Sequence, residues 1–223
     1  MRVIIFGATG MVGGGVLLEC LDHPDVSSIL VIGRNPCGVT HDKVRETLRQ
    51  DFFDYRDIED TLEGYDACFF CLGVSSAGMS EEKYTRLTYD LTLAAANALA
   101  RVNPQMTFCY ISGTGADSTE RSRTMWARVR GRTENALLRL PFKATYIFRP
   151  GFIQPMKGIK SKTTLYRAAY AVFGPLFPIL NAVVPNYVTT TERVGIAMIR
   201  IAQRGYDKHI LENRDINALA GDR

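Results

Sequence analysis

Histidine is scarce in this sequence, and its placement argues against two kinds of catalytic centre. The three copies, His23, His41 and His209, lie in different predicted elements and share no partner spacing. A zinc site needs ligands at recurring short spacings, and a Ser-His-Asp relay needs a histidine between a nucleophile and an acid. The sequence supports neither arrangement, and we expect no metal site.

The cysteines form no disulfide framework either. They number five, an odd count without regular spacing. Cys68 and Cys71 have the C-x-x-C spacing of redox and metal motifs, but they fall in a predicted strand, where residues three apart point to opposite faces. We therefore expect their thiols not to meet. Because Met1 and Arg2 lead directly into a strand too short for a secretory signal, we expect a cytoplasmic protein.

Long unbroken hydrophobic runs are also lacking. Residues 165–184 are apolar and aromatic, but Arg167, Gly174, Pro175 and Pro178 interrupt them. A membrane-spanning helix needs about 20 consecutive apolar residues. We therefore interpret this stretch as a lid over a substrate cleft or as an oligomer contact, such as that of a homodimer. Shallow membrane attachment is the less favoured alternative.

Charge of one sign does not dominate the chain. Its 27 basic and 23 acidic residues give a net charge of +4, and no basic run is interleaved with aromatic residues. This pattern does not indicate nucleic-acid binding, although a mild positive excess suits an anionic cofactor. A length of 223 residues and a hydrophobic content of 46% suit one domain of α/β type, covering residues 1–223.

The most informative stretch of the sequence is residues 1–15. A short apolar run ends at Gly7, a turn with glycines at positions 10 and 13 follows, and an apolar helical pattern begins at Val16. This order of strand, glycine turn and helix is typical of dinucleotide-binding folds, in which backbone N–H groups at a helix N-terminus hold the pyrophosphate. We expect Gly7 to permit the turn, Gly10 the approach of phosphate and Gly13 the close packing of helix on strand. The alternative is a purely structural turn.

Residues 26–32 predict a second parallel strand, which ends at Gly33 and Arg34. In dinucleotide-binding folds this position faces the adenine ribose. A carboxylate there binds the 2′-hydroxyl of NAD, and an arginine there receives the 2′-phosphate of NADP. The chain offers Arg34 and no carboxylate, so we expect NADP(H) in preference to NAD(H). The alternative is a solvated arginine at a strand end.

Further strands alternate with helices along the rest of the chain. Residues 65–73, 106–113 and 146–151 predict strands, residues 44–52 predict a less distinct one, and Ser80 starts a helical pattern. Near the C-terminus, residues 189–192 predict a helix cap, residues 209–211 a short strand and residues 215–220 a closing helix. The alternation predicts an α/β fold with a doubly wound parallel sheet, a Rossmann fold, with residues 151–188 as a small C-terminal lid region over the substrate cleft.

The sequence resembles the atypical, epimerase-like short-chain dehydrogenases/reductases, the group that includes NmrA-like and Tat-interacting-protein-like members. The resemblance covers nearly the whole chain. The motifs that carry it are Gly7-Ala8-Thr9-Gly10-Met11-Val12-Gly13, Gly33-Arg34, Cys71-Leu72-Gly73, Tyr110-Ile111-Ser112 and Arg149-Pro150-Gly151-Phe152-Ile153. The resemblance implies a Rossmann fold that binds NAD(P)(H), with a variable C-terminal region over the substrate.

The same resemblance implies a set of catalytic positions, and here the chain departs from the family. The family uses a serine or threonine after the fifth strand and a Tyr-x-x-x-Lys pair on the next helix, which exchange a proton with the substrate during hydride transfer. Ser112 matches the serine, but Trp126 and Arg130 stand where tyrosine and lysine are expected. An indole N–H does not titrate near neutral pH. Arg130 retains a charge that suits the ribose hydroxyls.

Residues at the carboxyl ends of the strands are expected to contact the dinucleotide, because ligands of parallel α/β sheets bind there. They are Gly7, Thr9, Gly10, Met11, Val12, Gly13, Arg34, Asp51, Phe52, Cys71, Leu72, Gly73, Ser112, Arg130, Pro150, Gly151, Phe152 and Ile153.

Three interpretations remain open at this point. The chain is an oxidoreductase of a small carbonyl or hydroxyl substrate that uses another acid, or its substrate needs no proton relay, or it is a dinucleotide sensor that acts through a regulatory protein partner. For the first interpretation, the candidate acids are Ser112, Thr114, Tyr84, Tyr166, Tyr170 and Tyr187.

Overall fold

The computed structural model describes residues 1–159 and 184–221. Its strands are β1 (Arg2–Phe6), β2 (Ser28–Gly33), β3 (Val44–Leu48), β4 (Ala67–Phe70), β5 (Thr107–Ile111), β6 (Ala144–Arg149), β7 (Phe152–Gln154), β8 (Val188–Thr190) and β9 (Ile210–Glu212). Seven of these form one parallel sheet in the order β3-β2-β1-β4-β5-β6-β9. The predicted doubly wound sheet is confirmed. Its strand order reverses between β1 and β4, where ligands bind in such sheets.

The described helices lie on both faces of this sheet. They are α1 (Met11–Asp22), α2 (Glu59–Leu62), α3 (Glu81–Thr85), α4 (Leu91–Val102), α5 (Met125–Leu138), α6 (Thr191–Arg204) and α7 (Asn213–Gly221). A π-helical segment, Arg86–Asp90, joins α3 to α4. The predicted caps form: Ser80 Oγ accepts a hydrogen bond from the Lys83 amide at 3.3 Å, and Thr190 Oγ1 accepts one from the Arg193 amide at 3.0 Å.

Two hydrophobic cores explain why the strands read as unbroken apolar runs. Val3 and Ile5 of β1 pack with α1, α6 and α7 on one face, whereas Ile4 and Phe6 pack with α4 on the other. Because both faces of the sheet are covered, successive residues of its inner strands β1, β4 and β5 are buried, whereas the edge strand β3 is partly exposed. The sheet therefore holds the loops at its carboxyl edge on a rigid base.

Glycines bring helices α1 and α6 into close contact. A Cβ added to Gly15 would lie 2.5 Å from Thr191 Cβ, and one added to Gly195 would lie 2.7 Å from Glu19 Cγ. Side chains at these positions would force the helices apart. This contact fixes the helix that begins at the glycine turn.

A small second sheet, not expected from the sequence, frames the predicted lid region. β7 pairs in parallel with β8, with Phe152 opposite Val188 and Gln154 opposite Thr190. Residues 160–183, and with them Tyr166, Tyr170 and most of the apolar stretch 165–184, lie outside the described part of the chain. Across the described helices, none has the length and apolar character that a membrane span requires.

Candidate functional site

The glycine turn after β1 has the geometry that the sequence predicts. Gly7 has a φ of +81°, a conformation that favours glycine, and its carbonyl accepts a hydrogen bond from the Gly10 amide at 2.8 Å. A Cβ on Gly13 would lie 2.2 Å from that same carbonyl oxygen. Gly7 and Gly13 are therefore required for the turn and for its packing on α1.

Gly10 has a different role, because it leaves the N-terminus of α1 uncovered. It is the N-cap of α1, and no side chain of the described residues makes a cap hydrogen bond there. The first helical turn contains no acidic residue, and Thr9, Met11 and Val12 are partly exposed. N–H groups and the helix dipole at such a terminus favour an anion. This helix N-terminus therefore has the features that favour an anion, and the phosphate site at these residues stays a prediction.

The turn after β4 lies directly against the turn after β1. A Cβ on Gly7 would lie 2.8 Å from the Cys71 carbonyl carbon and 2.9 Å from the Leu72 amide nitrogen. Gly73 follows and is exposed. The backbones of the two turns at the switch point therefore meet without intervening side chains.

Cys68 and Cys71 do not form a site together. Cys68 lies in the core that contains Phe6, whereas Cys71 packs against the core on the other face of the sheet. Burial raises the pKa of both thiols, which opposes formation of the thiolate that metal binding or redox chemistry needs.

At the end of β2, Arg34 is exposed and its carbonyl accepts a hydrogen bond from Gln50 Nε2 at 3.3 Å. Among residues 1–159 and 184–221, no carboxylate forms an ion pair with Arg34. Its guanidinium is therefore available at the position where the sequence places the adenine ribose.

Asp51 and Phe52 occupy this edge differently from expectation. Asp51 Oδ1 accepts a hydrogen bond from the Phe53 amide at 2.8 Å and so shapes the turn. Phe52 is only 5% exposed and its ring packs against Phe6, so it belongs to the core. The neighbouring Phe53 is 40% exposed, with the Arg86 guanidinium 5.1 Å from its ring centroid. The ring that faces solvent here is Phe53, which the sequence reasoning missed by one position.

Ser112 lies at the end of β5, as predicted, but its hydroxyl is engaged within the protein. It donates a short hydrogen bond to Glu134 on α5, and Glu134 is fully buried in an ion pair with Arg149. Arg149 Nε also donates to Glu134 Oε1 at 3.1 Å. Gly131 of α5 allows the loop after β5 to pack closely on this helix, because a Cβ there would lie 1.7 Å from the Asp117 carbonyl oxygen. Glu134 and Arg149 were not predicted as functional, although Arg149 opens one of the motifs that carry the family resemblance.

Trp126 and Arg130 lie one turn apart on α5 and occupy different surroundings. A Cβ on Gly115 would lie 3.2 Å from the Trp126 ring, so the indole covers the loop that follows β5. Arg130 Nη1 donates to the Ile111 carbonyl at 3.2 Å, and a Cβ on Gly73 would lie 3.7 Å from Arg130 Nη2. Arg130 therefore reaches the carboxyl ends of both β4 and β5, where the dinucleotide is expected.

The loop after β6 brings the predicted Pro150 and Gly151 to the same edge. The Thr114 amide donates to the Pro150 carbonyl at 3.0 Å, which ties the loops after β5 and β6 together. Gly151 packs on the backbone of Tyr187, and the Phe152 amide donates to the Tyr187 carbonyl at 2.9 Å. Ile153 is buried.

A cleft of about 390 Å³ adjoins these loops. Thr114, Tyr187, Lys208, Glu212 and Arg214 are among its lining residues. Tyr187 is 64% exposed and is the phenol that lies in this cleft. The cleft brings together a residue of the β5 loop and residues from the C-terminal part of the chain.

No protein-family model matches the chain. Two of the curated proteins that are similar to it are described here. The chain is similar to Protein HTATIP2 of Rattus norvegicus, with 27% identity over 154 residues that cover 68% of this chain and 62% of that protein. It is also similar to the mitochondrial Protein FMP52-2 of Scheffersomyces stipitis, with 30% identity over 152 residues that cover 67% of this chain and 65% of that protein. The match spans less than two thirds of either relative.

Solved structures share the fold at low sequence identity. One is the ADP-L-glycero-D-manno-heptose-6-epimerase of Helicobacter pylori, with a TM-score of 0.68, 14% identity, and coverage of 99% of this chain and 83% of that chain. Another is WbmF of Bordetella bronchiseptica in complex with NAD⁺, with a TM-score of 0.66, 13% identity, and coverage of 97% and 76%.

The names of the relatives contradict the expected cytoplasmic location. FMP52-2 of Scheffersomyces stipitis and FMP52 of Saccharomyces cerevisiae are both named mitochondrial. The expectation rested on the short apolar run at residues 3–6, which form strand β1. A strand at that position carries no information about the location of the protein, so the inference of a cytoplasmic protein was wrong.

The chain has the Rossmann fold that these solved structures share. Its sequence similarity to HTATIP2 and FMP52-2 supports the resemblance to the atypical, epimerase-like short-chain dehydrogenases/reductases.

Proposed function

We propose that this protein binds NADP(H) in preference to NAD(H) and serves as an oxidoreductase of a small carbonyl or hydroxyl substrate. The observation that carries the proposal is the uncovered N-terminus of α1 at Gly10, beside the close backbone contact between Gly7 and the turn after β4. This geometry fits a pyrophosphate bound by backbone N–H groups. The guanidinium of Arg34, which is exposed and forms no ion pair within the described part of the chain, supports the preference for a 2′-phosphate.

The remaining contacts follow the path of an extended dinucleotide along the sheet edge. In this proposal Asp51 and the exposed ring of Phe53 bracket the adenine, and Arg130 contacts ribose hydroxyls beside Gly73. Pro150 and Gly151 border the nicotinamide end of this path, next to the cleft. The nicotinamide ring would supply or accept the hydride there.

In the proposed reduction of a carbonyl, a side chain with a titratable group would supply the proton that accompanies hydride transfer. Trp126 has none, and the hydroxyl of Ser112 is bound to Glu134. Burial raises the pKa of the Tyr110 phenol to about 12, although Arg130 opposes this shift. Tyr187 is the exposed phenol in the cleft, so we assign it as the candidate proton donor.

A second candidate function is a dinucleotide sensor that acts through a regulatory protein partner. The observation that favours it is Trp126, whose indole covers the β5 loop where the family places its tyrosine. In this alternative the cofactor site is retained and the chemistry is lost. In this alternative the partner is either another regulatory protein or a second copy of the chain.

One experiment separates the two functions. Binding of NADPH and NADH by the purified protein is measured by calorimetry, and absorbance at the nicotinamide band is then followed on addition of aldehydes and ketones. Turnover that Tyr187→Phe abolishes, and that Tyr206→Phe on the neighbouring loop leaves unchanged, supports the oxidoreductase. Binding without turnover across the panel favours the sensor, and absence of binding contradicts both.

Restoring the family's pair gives an independent test. If the cleft retains the geometry for reduction, Trp126→Tyr combined with Arg130→Lys should raise carbonyl reduction above the level of the unchanged protein. No gain would favour the sensor. The names of the fungal relatives also lead us to propose a mitochondrial location, which fractionation of the source cells would test.

A further inference from the structure

Arg130 has a hydrogen-bond partner that does not belong to any motif used above. Its Nε donates to the hydroxyl of Tyr84 at 3.1 Å, while its Nη1 donates to the Ile111 carbonyl at 3.2 Å. Two acceptors on different elements therefore hold the two sides of one planar guanidinium. The third nitrogen, Nη2, lies next to Gly73 at the cofactor edge.

Tyr84 is well placed to fix this arrangement because it cannot easily move. It lies on α3, is only 1% exposed, and is followed closely by the π-helical segment Arg86–Asp90. A π-helical segment shifts the phase of a helix, so residues before and after it face a neighbouring helix differently from those of a continuous α-helix. Both α3 and the π-helical segment pack against α5, which carries Arg130.

We propose that Tyr84 is a positioning residue that holds the Arg130 guanidinium in place to bind the ribose of the dinucleotide. The inference rests on the proposed function, because it requires that Arg130 contact the cofactor. An arginine side chain has many rotamers, and a fixed guanidinium loses less conformational entropy on binding than a free one. The Tyr84 hydroxyl and the Ile111 carbonyl together provide that restraint without touching the ligand.

The same geometry indicates that Tyr84 does not replace the missing catalytic tyrosine. Its phenol is almost fully buried and accepts a hydrogen bond from Arg130 Nε, whereas Arg130 Nη2 is the group next to Gly73. Arginine remains protonated at physiological pH and does not relay a proton. Tyr84 therefore acts through Arg130.

A double-mutant cycle tests the proposal. Tyr84→Phe keeps the buried ring and removes the hydroxyl, and Arg130→Ala removes the guanidinium. The dissociation constant of NADPH is measured by calorimetry for the unchanged protein, each single variant and the pair, together with melting temperatures. We expect Tyr84→Phe to weaken binding about three- to tenfold, as for one lost hydrogen bond. In the Arg130→Ala background it should have no further effect.

Tyr89→Phe is the matched control. Tyr89 lies within the π-helical segment, and its ring stacks on Arg132, two residues after Arg130, with 4.4 Å from the guanidinium carbon to the ring centroid. Loss of its hydroxyl should leave NADPH binding unchanged. The double-mutant cycle separates a positioning effect of Tyr84 from a general loss of packing.

Each outcome has one interpretation. An equal effect of Tyr84→Phe in both backgrounds would show that Tyr84 acts independently of Arg130 and would overturn the positioning role while leaving the proposed function intact. No effect of Tyr84→Phe alone, with weakened binding for Arg130→Ala, would also overturn it. If Arg130→Ala leaves NADPH binding unchanged, or the unchanged protein does not bind NADPH, the proposed function fails at this site and the inference fails with it.

Discussion

The hydroxyl of Ser112 donates its hydrogen bond to Glu134, a fully buried carboxylate that is ion-paired with Arg149. A hydroxyl that is bound in this way polarises a substrate carbonyl only if it first leaves the carboxylate. That step would leave a buried charge less well satisfied. Ser112 is therefore part of the hydrogen-bond network with Glu134 and Arg149 that joins β5, α5 and β6. Its position in the sequence motif does not by itself make it catalytic.

Glu134→Gln should destabilise the fold, because the mostly buried Arg149 then loses its charged partner. Removal of one member of a buried pair typically costs about 3 kcal/mol or more in the free energy of unfolding. Urea denaturation measures this loss. Glu212→Gln is the control, because Glu212 contacts the same arginine at 3.3 Å from a half-exposed position, where a pair contributes about 1 kcal/mol or less. Equal losses for the two variants would show that burial does not govern the strength of this network.

Gly10→Asp should change stability and cofactor binding in opposite directions. Gly10 has φ −87° and ψ 169°, which suit an aspartate N-cap, and an added Cβ would approach only the Gly7 carbonyl, at 3.2 Å. Aspartate at the N-cap should therefore leave α1 intact or stabilise it by a few tenths of a kcal/mol. Its negative charge would lie where the phosphates bind, and we expect NADPH affinity to fall by about tenfold or more.

Gly10→Asn separates charge from size in this test. Asparagine is a comparable N-cap with nearly the same shape and no charge. Calorimetry should show a smaller loss of NADPH binding for Gly10→Asn than for Gly10→Asp. If both variants bind like the unchanged protein, the phosphate does not lie at this terminus.

Arg34→Ala should reduce the preference for NADPH over NADH. The proposed function assigns the exposed guanidinium of Arg34 to a 2′-phosphate, so its loss should weaken NADPH binding by about tenfold, the value of one charge-assisted contact. NADH binding should change little. Arg45→Ala removes an exposed arginine from the neighbouring strand β3 and should alter neither affinity. Parallel losses for both cofactors with Arg34→Ala would contradict the 2′-phosphate role.

The central sheet could be predicted because its signals are local. The buried run of β1, the glycine turn and the apolar face of α1 follow one another within residues 1–22, and each has its own pattern. Parallel strands that are buried on both faces read as continuous apolar segments, which made β2, β4, β5 and β6 recognisable in the same way. The residues at their carboxyl ends then followed from topology alone.

The interactions that were missed join residues distant in sequence. β7 and β8 have three residues each and pair Phe152 with Val188, too short a pattern to stand out. The bond between Tyr84 and Arg130 spans 46 positions, and nothing local to either residue marks it. Phe52 and Phe53 are adjacent and chemically identical, so only the turn at Asp51 decides which ring enters the core.

We expect the buried Glu19 to make the protein less stable as the pH rises above the usual pKa of a glutamate side chain. Glu19 lies on α1 against Gly195 of α6, and burial raises its pKa above 4.5, although a hydrogen bond from Lys157 opposes the shift. The folded protein therefore holds this proton more tightly than the unfolded chain. Its contribution to stability is fully present below pH 4.5 and is lost as the pH rises through the raised folded pKa.

Glu19→Gln tests this sign, because glutamine resembles the protonated carboxyl group at every pH. We expect the variant to match the unchanged protein in unfolding free energy near pH 4 and to exceed it at pH 7. Asp22→Asn removes the exposed second partner of Lys157 and should bring no such gain at pH 7. Urea denaturation across this pH range measures both. A Glu19→Gln variant that is less stable at pH 7 would show that the ion pair with Lys157, at 2.8 Å, outweighs the burial of the carboxylate.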